Sequence, residues 1–376
     1  MIKSFEIKNF RCFTQTKGSG LTKINLFGGK NNAGKTALLE AIFLMGVPSN
    51  QSIAKLLSFR RVSKKFILEM PQKTWDNFFY HQDKSNIISF NFALENNLNN
   101  KVIISCDEKI DDFVNMVTNN KEQEDTDEDI VEFANSLTNT NTSKSALHIT
   151  AYSGDKQLQT NVFVSSSNGI AGRGIAHQFI NTNFIPASFK LDSDELATEF
   201  DKSKLEGDSE ALLKAFKLID SSIQEVQTLK IGIAEIYLKR ANENYMPLSL
   251  FGDAMNRIGN FILKIVNNKN SILLIDEIEN GIHYENQEKI WKALFELCNH
   301  YNVQLFATSH SYEMIKAYKS VIINNDYQSD GSYFEMMPSP VNPTKINIQK
   351  IPVYSLDEKL SSNMPIRGEV TKRESS

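Results

Sequence analysis

Apolar and polar residues alternate along MIKSFEIKNF, the pattern of a strand with one buried face over residues 2–9. A short apolar run within TKINLF predicts a second strand at 23–27. After Gly28 the chain reads KTALLEAIFLMG, apolar on almost every side, which predicts a buried helix stopped by Gly46 and Pro48. From about 50 to 190, strand-like pieces recur (SNIISFNFAL, NKVIISC, ALHITAY, TNVFVSS) and predict an antiparallel lobe with long loops. Residues 192–225 read as one or two helices and 226–238 as a strand. A helix follows at about 252–267, then the apolar strand SILLID, a helix at about 284–299 and the strand VQLFATS. Strand, helix and strand at this spacing imply parallel pairing with a right-handed crossover. There is no fixed-period repeat and no long heptad segment.

Composition narrows the class without choosing a function. The 376 residues are 41% hydrophobic and 23% charged, as in a soluble globular protein of one large domain or two ordinary ones. Stretches such as AIFLMGV and SILLI are far shorter than the roughly 20 residues of a membrane helix. The N-terminus lacks the apolar core of a signal peptide, so a cytoplasmic protein with no membrane partner is expected. Cys12, Cys106 and Cys298 are too few and too scattered for a disulfide framework or a Cys-based metal site. A net charge of −4 disfavours a protein that coats nucleic acid over its whole surface. A local patch, Arg60-Arg61-Val62-Ser63-Lys64-Lys65 between Phe59 and Phe66, leaves nucleic-acid binding open. Residues 107–132 carry eleven acids against Lys109 and Lys121, which predicts a solvated, partly disordered insertion.

Gly29-Lys30-Asn31-Asn32-Ala33-Gly34-Lys35-Thr36 satisfies G-x-x-x-x-G-K-[ST], with a strand before it and a helix opening at Lys35. Glycines let backbone N–H groups wrap phosphates at a helix N-terminus. Lys35 is expected to reach the β- and γ-phosphates of ATP, and the Thr36 hydroxyl to ligate Mg²⁺. The strand Ser271-Ile-Leu-Leu-Ile ends in Asp276 and Glu277. In such proteins the first acid bonds the Mg²⁺ shell, directly or through water, and the second can orient or deprotonate an attacking water. The strand that follows ends in His310, placed to contact a γ-phosphate. In PLSLFGDAMNRIGN, Ser249 and Gly252 precede an amphipathic run, like a helix N-terminus that can hold an anion.

The order of these features is similar to that of ABC-type ATPases. IKNFRCF, GKNNAGKTALLEAI, FIPAS, LSLFGDAMNRI, LLIDEIENGIHYENQEKIW and NVQLFATSHSYEMI together resemble the OLD-like branch, with RecF and SMC ATPases as more distant relatives. The resemblance covers residues 1 to about 317. It implies an α/β P-loop NTPase of ABC type, with a mixed, largely parallel sheet, an antiparallel β lobe and a helical insertion. Within a single domain over 1–376 it places a phosphate-loop half at 1–50 and the lobe at 51–190, with the acidic insertion at about 107–145. The helical insertion falls at 191–247, the half carrying the signature, acids and histidine at 248–320, and C-terminal strands and tail at 321–376.

The resemblance also implies a head-to-tail homodimer, or a higher homo-oligomer, in which Ser249 and Gly252 of one copy close on ATP held by another. His283 falls at the D-loop position and Arg11 at a position near the nucleotide. Ile185-Pro186-Ala187-Ser188 falls in the Q-loop region but holds no glutamine, and Gly252-Asp253-Ala254 stands where OLD-like signatures often read Gly-Asp-Gly.

OLD nucleases add a metal-binding Toprim domain, but no Asp-x-Asp follows His310; those at 125–127 and 192–194 lie upstream of the acid-ending strand. A stand-alone ATPase is therefore expected. It would serve as an ATP-driven sensor or clamp for a separate effector such as a nuclease, in prokaryotic anti-phage defence. The alternative is a RecF-like DNA-binding clamp in repair.

Overall fold

In the computed structural model the described residues are 1–376 except 96–97, 119–127, 138–142, 175–176, 189–191, 340, 343–344 and 362–376. The chain opens with β1 (Ile2–Phe10), β2 (Phe13–Ser19), β3 (Ile24–Gly28), α1 (Lys35–Gly46), α2 (Asn50–Phe59) and α3 (Lys64–Glu69). It continues with β4 (Ile88–Leu94), β5 (Asn99–Asp107), α4 (Asp111–Thr118), α5 (Glu128–Leu137), β6 (Lys144–Ser153), β7 (Lys156–Ser166), β8 (Gly169–Gly174) and β9 (Thr182–Ile185). Next come α6 (Ser193–Leu205), α7 (Ser209–Ile219), β10 (Ile223–Ile231), β11 (Ile233–Arg240) and β12 (Met246–Pro247). The last elements are α8 (Asp253–Val266), β13 (Ile272–Ile275), α9 (Gln287–His300), β14 (Gln304–Ser309), α10 (Tyr312–Asn324), β15 (Gly331–Pro338), β16 (Ile346–Ile351) and α11 (Val353–Ser361).

Two large sheets enclose α1. One has six strands in the order β16-β15-β3-β14-β13-β9, all parallel except the edge strand β16. The other is a seven-stranded antiparallel sheet, β2-β1-β4-β5-β6-β7-β8. Side chains of the parallel strands alternate between two cores, as a pleated strand demands. Leu26, Leu273, Ile275, Leu305 and Ala307 face α6 to α10, whereas Phe27, Ile272, Leu274 and Phe306 face α1 and the antiparallel sheet. Covered on both sides, α1 buries every residue but Thr36, which explains its all-round apolar sequence. Gln304 joins the sheets: its Oε1 accepts the Ile2 N–H at 2.8 Å and its Nε2 donates to the Ile2 carbonyl at 2.9 Å.

Several expectations need correction. A strand, β2, follows the predicted first strand after a tight turn at Arg11 and Cys12. The stretch read as all strand and loop begins with α2 and α3, whose N-caps Ser49 and Ser63 accept from Ser52 and Phe66 N–H groups. Strand β9 lies within that stretch but pairs with β13 in the parallel sheet. The single strand at 226–238 is a hairpin, because Gly232 (φ 86°) turns the chain between β10 and β11. The acidic insertion is folded at both ends. Phe113, Val117, Ala134 and Leu137 of α4 and α5 pack on Ala146, Val162 and Val164, hiding an apolar stripe beneath the charges. The acidic run 119–127, with its Asp-x-Asp at 125–127, lies outside the described residues, as does the tail at 362–376. At 192–194, Asp192 caps α6 by accepting the Asp194 N–H at 3.4 Å. No helix among the described residues is long and apolar enough to cross a membrane.

Candidate nucleotide site

Parallel pairing brings the ends of β3, β9, β13 and β14 to one edge of the sheet, where crevices form in α/β folds. Gly29, Asp276 and His310 each follow such an end within two residues, which is why motifs hundreds of residues apart converge. A cavity of about 840 Å³ opens there. Its walls include Arg11, Asn31, Asn32, Gly34, Lys35, Thr36, Asp276 and Glu277.

The loop before α1 is shaped by its backbone. Asn32 (φ 64°) and Gly34 (φ 85°) adopt left-handed conformations, which asparagine tolerates and glycine favours. Gly34 caps α1 with no side-chain hydrogen bond, so the first-turn N–H groups of the helix point to the cavity and suit an anion. A Cβ on Gly34 would come within 2.7 Å of Cys12 Sγ, and one on Gly29 within 2.7 Å of the Met336 carbonyl. Ala33 is buried, and its N–H is used within the loop, on the Lys30 carbonyl at 3.2 Å. Lys35 Nζ donates to the carbonyls of Gly29 at 2.7 Å and Lys30 at 2.9 Å. Burial pulls its ammonium pKa down, against the opposing charges of Glu279, Asp276 and Glu277.

Asp276 is buried and accepts from Thr36 Oγ1 at 2.8 Å and Thr308 Oγ1 at 2.6 Å. Burial pushes its carboxyl up from the usual range, against those two hydrogen bonds. A carboxylate and a hydroxyl held together in a cavity built for anions fit Mg²⁺, which takes one or two protein oxygens and completes its shell with water and phosphate. No group of three or more His, Cys, Asp or Glu among the described residues is arranged to hold a metal ion.

Glu277 lines the same cavity with an unfavourable backbone, φ 47°, which costs an L-residue about 1–2 kcal/mol. Its N–H donates to Thr308 Oγ1 at 2.9 Å and its Oε2 accepts from Asn280 Nδ2 at 2.9 Å. His310 Nδ1 lies 3.9 Å from Glu277 and 2.9 Å from Glu279, and the His310 N–H donates to Glu279 at 2.7 Å. Glu279 is thus a third acid at this edge, visible in the sequence only as another charge in DEIEN.

Arg11 (φ 54°) reaches the cavity from the turn after β1. Its Nε donates at 2.9 Å to Glu40, a carboxylate on α1 that is 1% exposed. Arg60 donates to the other oxygen of Glu40 at 2.6 Å. A buried charge requires such partners, and two arginines around one acid leave positive charge beside the phosphate loop. Of the basic patch, Arg60 lines the cavity and is held by Glu40 while still 43% exposed, and Arg61, Lys64 and Lys65 are exposed.

Of the predicted residues, Gly29, Ala33 and His310 adjoin residues of the cavity without lining it, and Ser249, Gly252 and His283 do not line it either. Ser249 is exposed on the 3-10 turn Leu248–Phe251, with Glu235 Oε1 at 3.5 Å. Gly252 (φ 91°, ψ 167°), not the serine, caps α8, because this conformation is essentially restricted to glycine. His283 is 61% exposed, beside Glu285 at 3.6 Å and with its ring tilted against that of Tyr284. In the region without a glutamine, the Ala187 carbonyl accepts from Arg257 Nη1 at 3.0 Å. Arg257 was not singled out from the sequence; its signal is a lone cation in the second turn of an amphipathic helix.

Residues 24–316 match the family described as "AAA domain, putative AbiEii toxin, Type IV TA system". The chain belongs to this family. With the parallel sheet and phosphate loop above, this AAA-family protein is a P-loop ATPase of the ABC type. It is 27% identical over 357 residues to a Helicobacter pylori protein named "ATP/GTP phosphatase", covering 89% of this chain and 92% of that one. A stretch of 44 residues is 48% identical to an uncharacterized Methanocaldococcus jannaschii protein, covering 12% of this chain and 20% of that one. Among solved structures, it is similar to the SMC head domain from Thermotoga maritima, at a TM-score of 0.46 and 11% identity over 93% of this chain and 98% of that one.

Proposed function

We propose that this AAA-family ATPase closes as a head-to-tail dimer around ATP and uses hydrolysis to control a separate effector protein. The observation that carries the dimer is the split site. Lys35, Thr36, Asp276 and Glu277 meet in one cavity, whereas the exposed Ser249 turn and Gly252 lie outside it. A glycine-capped helix start exposed to solvent suits an anion brought by another molecule.

In this reading the first-turn N–H groups of α1 and Lys35 hold the β- and γ-phosphates, and Thr36 and Asp276 hold Mg²⁺. The ion supplies charge neutralisation at the phosphates. Arg11 adds positive charge on the α1 side. Glu277, oriented by Asn280, takes the proton of the attacking water, and His310 stands beside it toward the γ-phosphate. Closure shifts the population toward the dimer because ATP contacts both copies only in that state.

The regulatory role draws on the words "putative AbiEii toxin, Type IV TA system" in the family's description; control of a nuclease effector in anti-phage defence is the concrete form we give it. The relative's name suggests that both ATP and GTP serve as substrates. A DNA clamp is the alternative: Arg60 is engaged with Glu40, and Arg61, Lys64 and Lys65 of the same patch are exposed. The test is the mass of Glu277→Gln complexes with and without ATP·Mg, together with whatever co-purifies. An ATP-dependent dimer carrying a second protein supports the reading. A complex carrying only nucleic acid, shed steeply by salt, replaces it with the clamp.

A further inference from the structure

We propose that Arg257 is a positioning residue that ties the signature turn of a protomer to the two acids of the same protomer. Engagement of the turn with a second copy's nucleotide then sets the competence of the first copy's own site. The inference rests on the sandwich reading above and deepens it.

Arg257 lies on α8, five residues beyond Gly252. Its Nη1 donates to the Ala187 carbonyl at 3.0 Å, and its Nη2 donates to the carbonyls of Asp276 at 2.9 Å and Glu277 at 3.0 Å. The guanidinium lies over the ring of Phe261, 5.4 Å from its centroid, one turn further along the helix. One planar fork thus grips the backbone of both acids and the segment after β9, a geometry that lysine cannot reproduce.

The grip falls where the backbone is least favourable. Glu277 sits at φ 47°, and such a conformation persists only where its surroundings over-determine it. Asn280 completes the cluster, donating to Glu277 Oε2 at 2.9 Å and reaching the Ala187 carbonyl at 3.5 Å. The backbone and carboxylate of Glu277 are therefore held by one connected set of hydrogen bonds.

The partner-facing turn lies at the same end of α8, little more than one helical turn before Arg257. Ile258, Phe261, Ile262, Leu263, Ile265 and Val266 pack into the core, so the helix moves as a unit with its neighbours. A shift at Gly252 is passed along α8 to Arg257 and from there to the carbonyls of Asp276 and Glu277. Each protomer's acids thereby sense whether its own signature turn is engaged.

The test compares wild type with Arg257→Lys, each also in the Glu277→Gln background. Thermal melting, binding of a fluorescent ATP analogue, mass with ATP·Mg, and turnover against ATP concentration are measured. Arg257→Lys should bind nucleotide within about threefold of wild type and still dimerise in the Glu277→Gln background. Its kcat should fall about tenfold to a hundredfold, the scale of a misplaced catalytic group. The Hill coefficient should drop from above one in wild type to one. If Arg257→Lys melts more than about 10 °C early, Arg257→Gln, which buries no charge, takes its place.

An unchanged kcat, a wild-type Hill coefficient of one, or equal losses of binding and turnover would overturn the proposal. A Glu277→Gln protein that stays monomeric with ATP·Mg overturns the sandwich reading and the coupling with it. A dimer that forms normally while Arg257→Lys turns over like wild type overturns the coupling alone.

Discussion

Gly34 starts α1 and Gly252 starts α8, both at positive φ and both without a side-chain cap. Around Gly34 the protein is crowded: an added Cβ would meet Cys12, Ile346 and Phe13 within 3.2 Å. A Cβ added at Gly252 would meet no side chain among the described residues within 4 Å. The first helix start is enclosed and accompanied by Lys35, Thr36 and the acids of β13. The second stands beside exposed Leu250 and Ser249, with no carboxylate pair or lysine of this cavity in reach. Two helix starts thus share one local device in different surroundings, and in the proposed dimer the second receives its anion from the partner copy.

The largest effect should come from the enclosed half. Glu277→Gln is expected to lower turnover about 10²- to 10⁴-fold, the usual worth of a general base, while ATP binding persists. Equal steady-state turnover in the two proteins would remove Glu277 from that role. Lys35→Ala should fail earlier, with nucleotide binding weakened about a hundredfold, or ~2.7 kcal/mol, by equilibrium titration. Ser249→Arg sharpens the contrast: binding to the isolated protomer should stay within about twofold, while ATP-driven dimerisation and turnover are lost. A parallel loss of binding would mean that the turn serves its own chain.

Matched alanine substitutions give a finer division. Gly34→Ala combines a steric clash with backbone strain and should abolish binding. Gly252→Ala meets only the strain, about 1–3 kcal/mol, and should lower turnover alone.

The smallest effect concerns Cys12, which lines the cavity and whose thiol burial pushes up to about 11. Its alkylation at pH 8 should be about a hundredfold slower than that of an ordinary thiol, rise with pH, and slow further when ATP is bound. Rapid, nucleotide-insensitive labelling, read by mass spectrometry, would place the cavity's contents elsewhere.

The phosphate loop and acid-ending strand were legible because each is a contiguous motif with the periodicity of its flanks. The parallel core followed from apolar runs too short for helices. What was hidden is what the fold assembles from afar. Glu40, Arg11 and Arg60 come from three elements, and no spacing in the chain announces that α1 buries a carboxylate between two arginines. Arg257 makes its bonds to carbonyls, which carry no residue-type signal at the accepting end. Helix α2 was overlooked although Ile53, Leu56 and Leu57 show helical spacing, because strand-like pieces beyond it dominated the reading. The Ser249–Gly252 stretch was legible as a helix start, but residue type alone does not show the glycine-specific backbone at 252.

The left-handed backbone at Glu277 bears on how the protein would change under selection. Glycine or asparagine would relax that position and make the folded chain more robust. A library sorted for thermal resistance alone should drift to those residues at 277, while one sorted for turnover should retain the acid. The position thus separates what the fold prefers from what the chemistry demands.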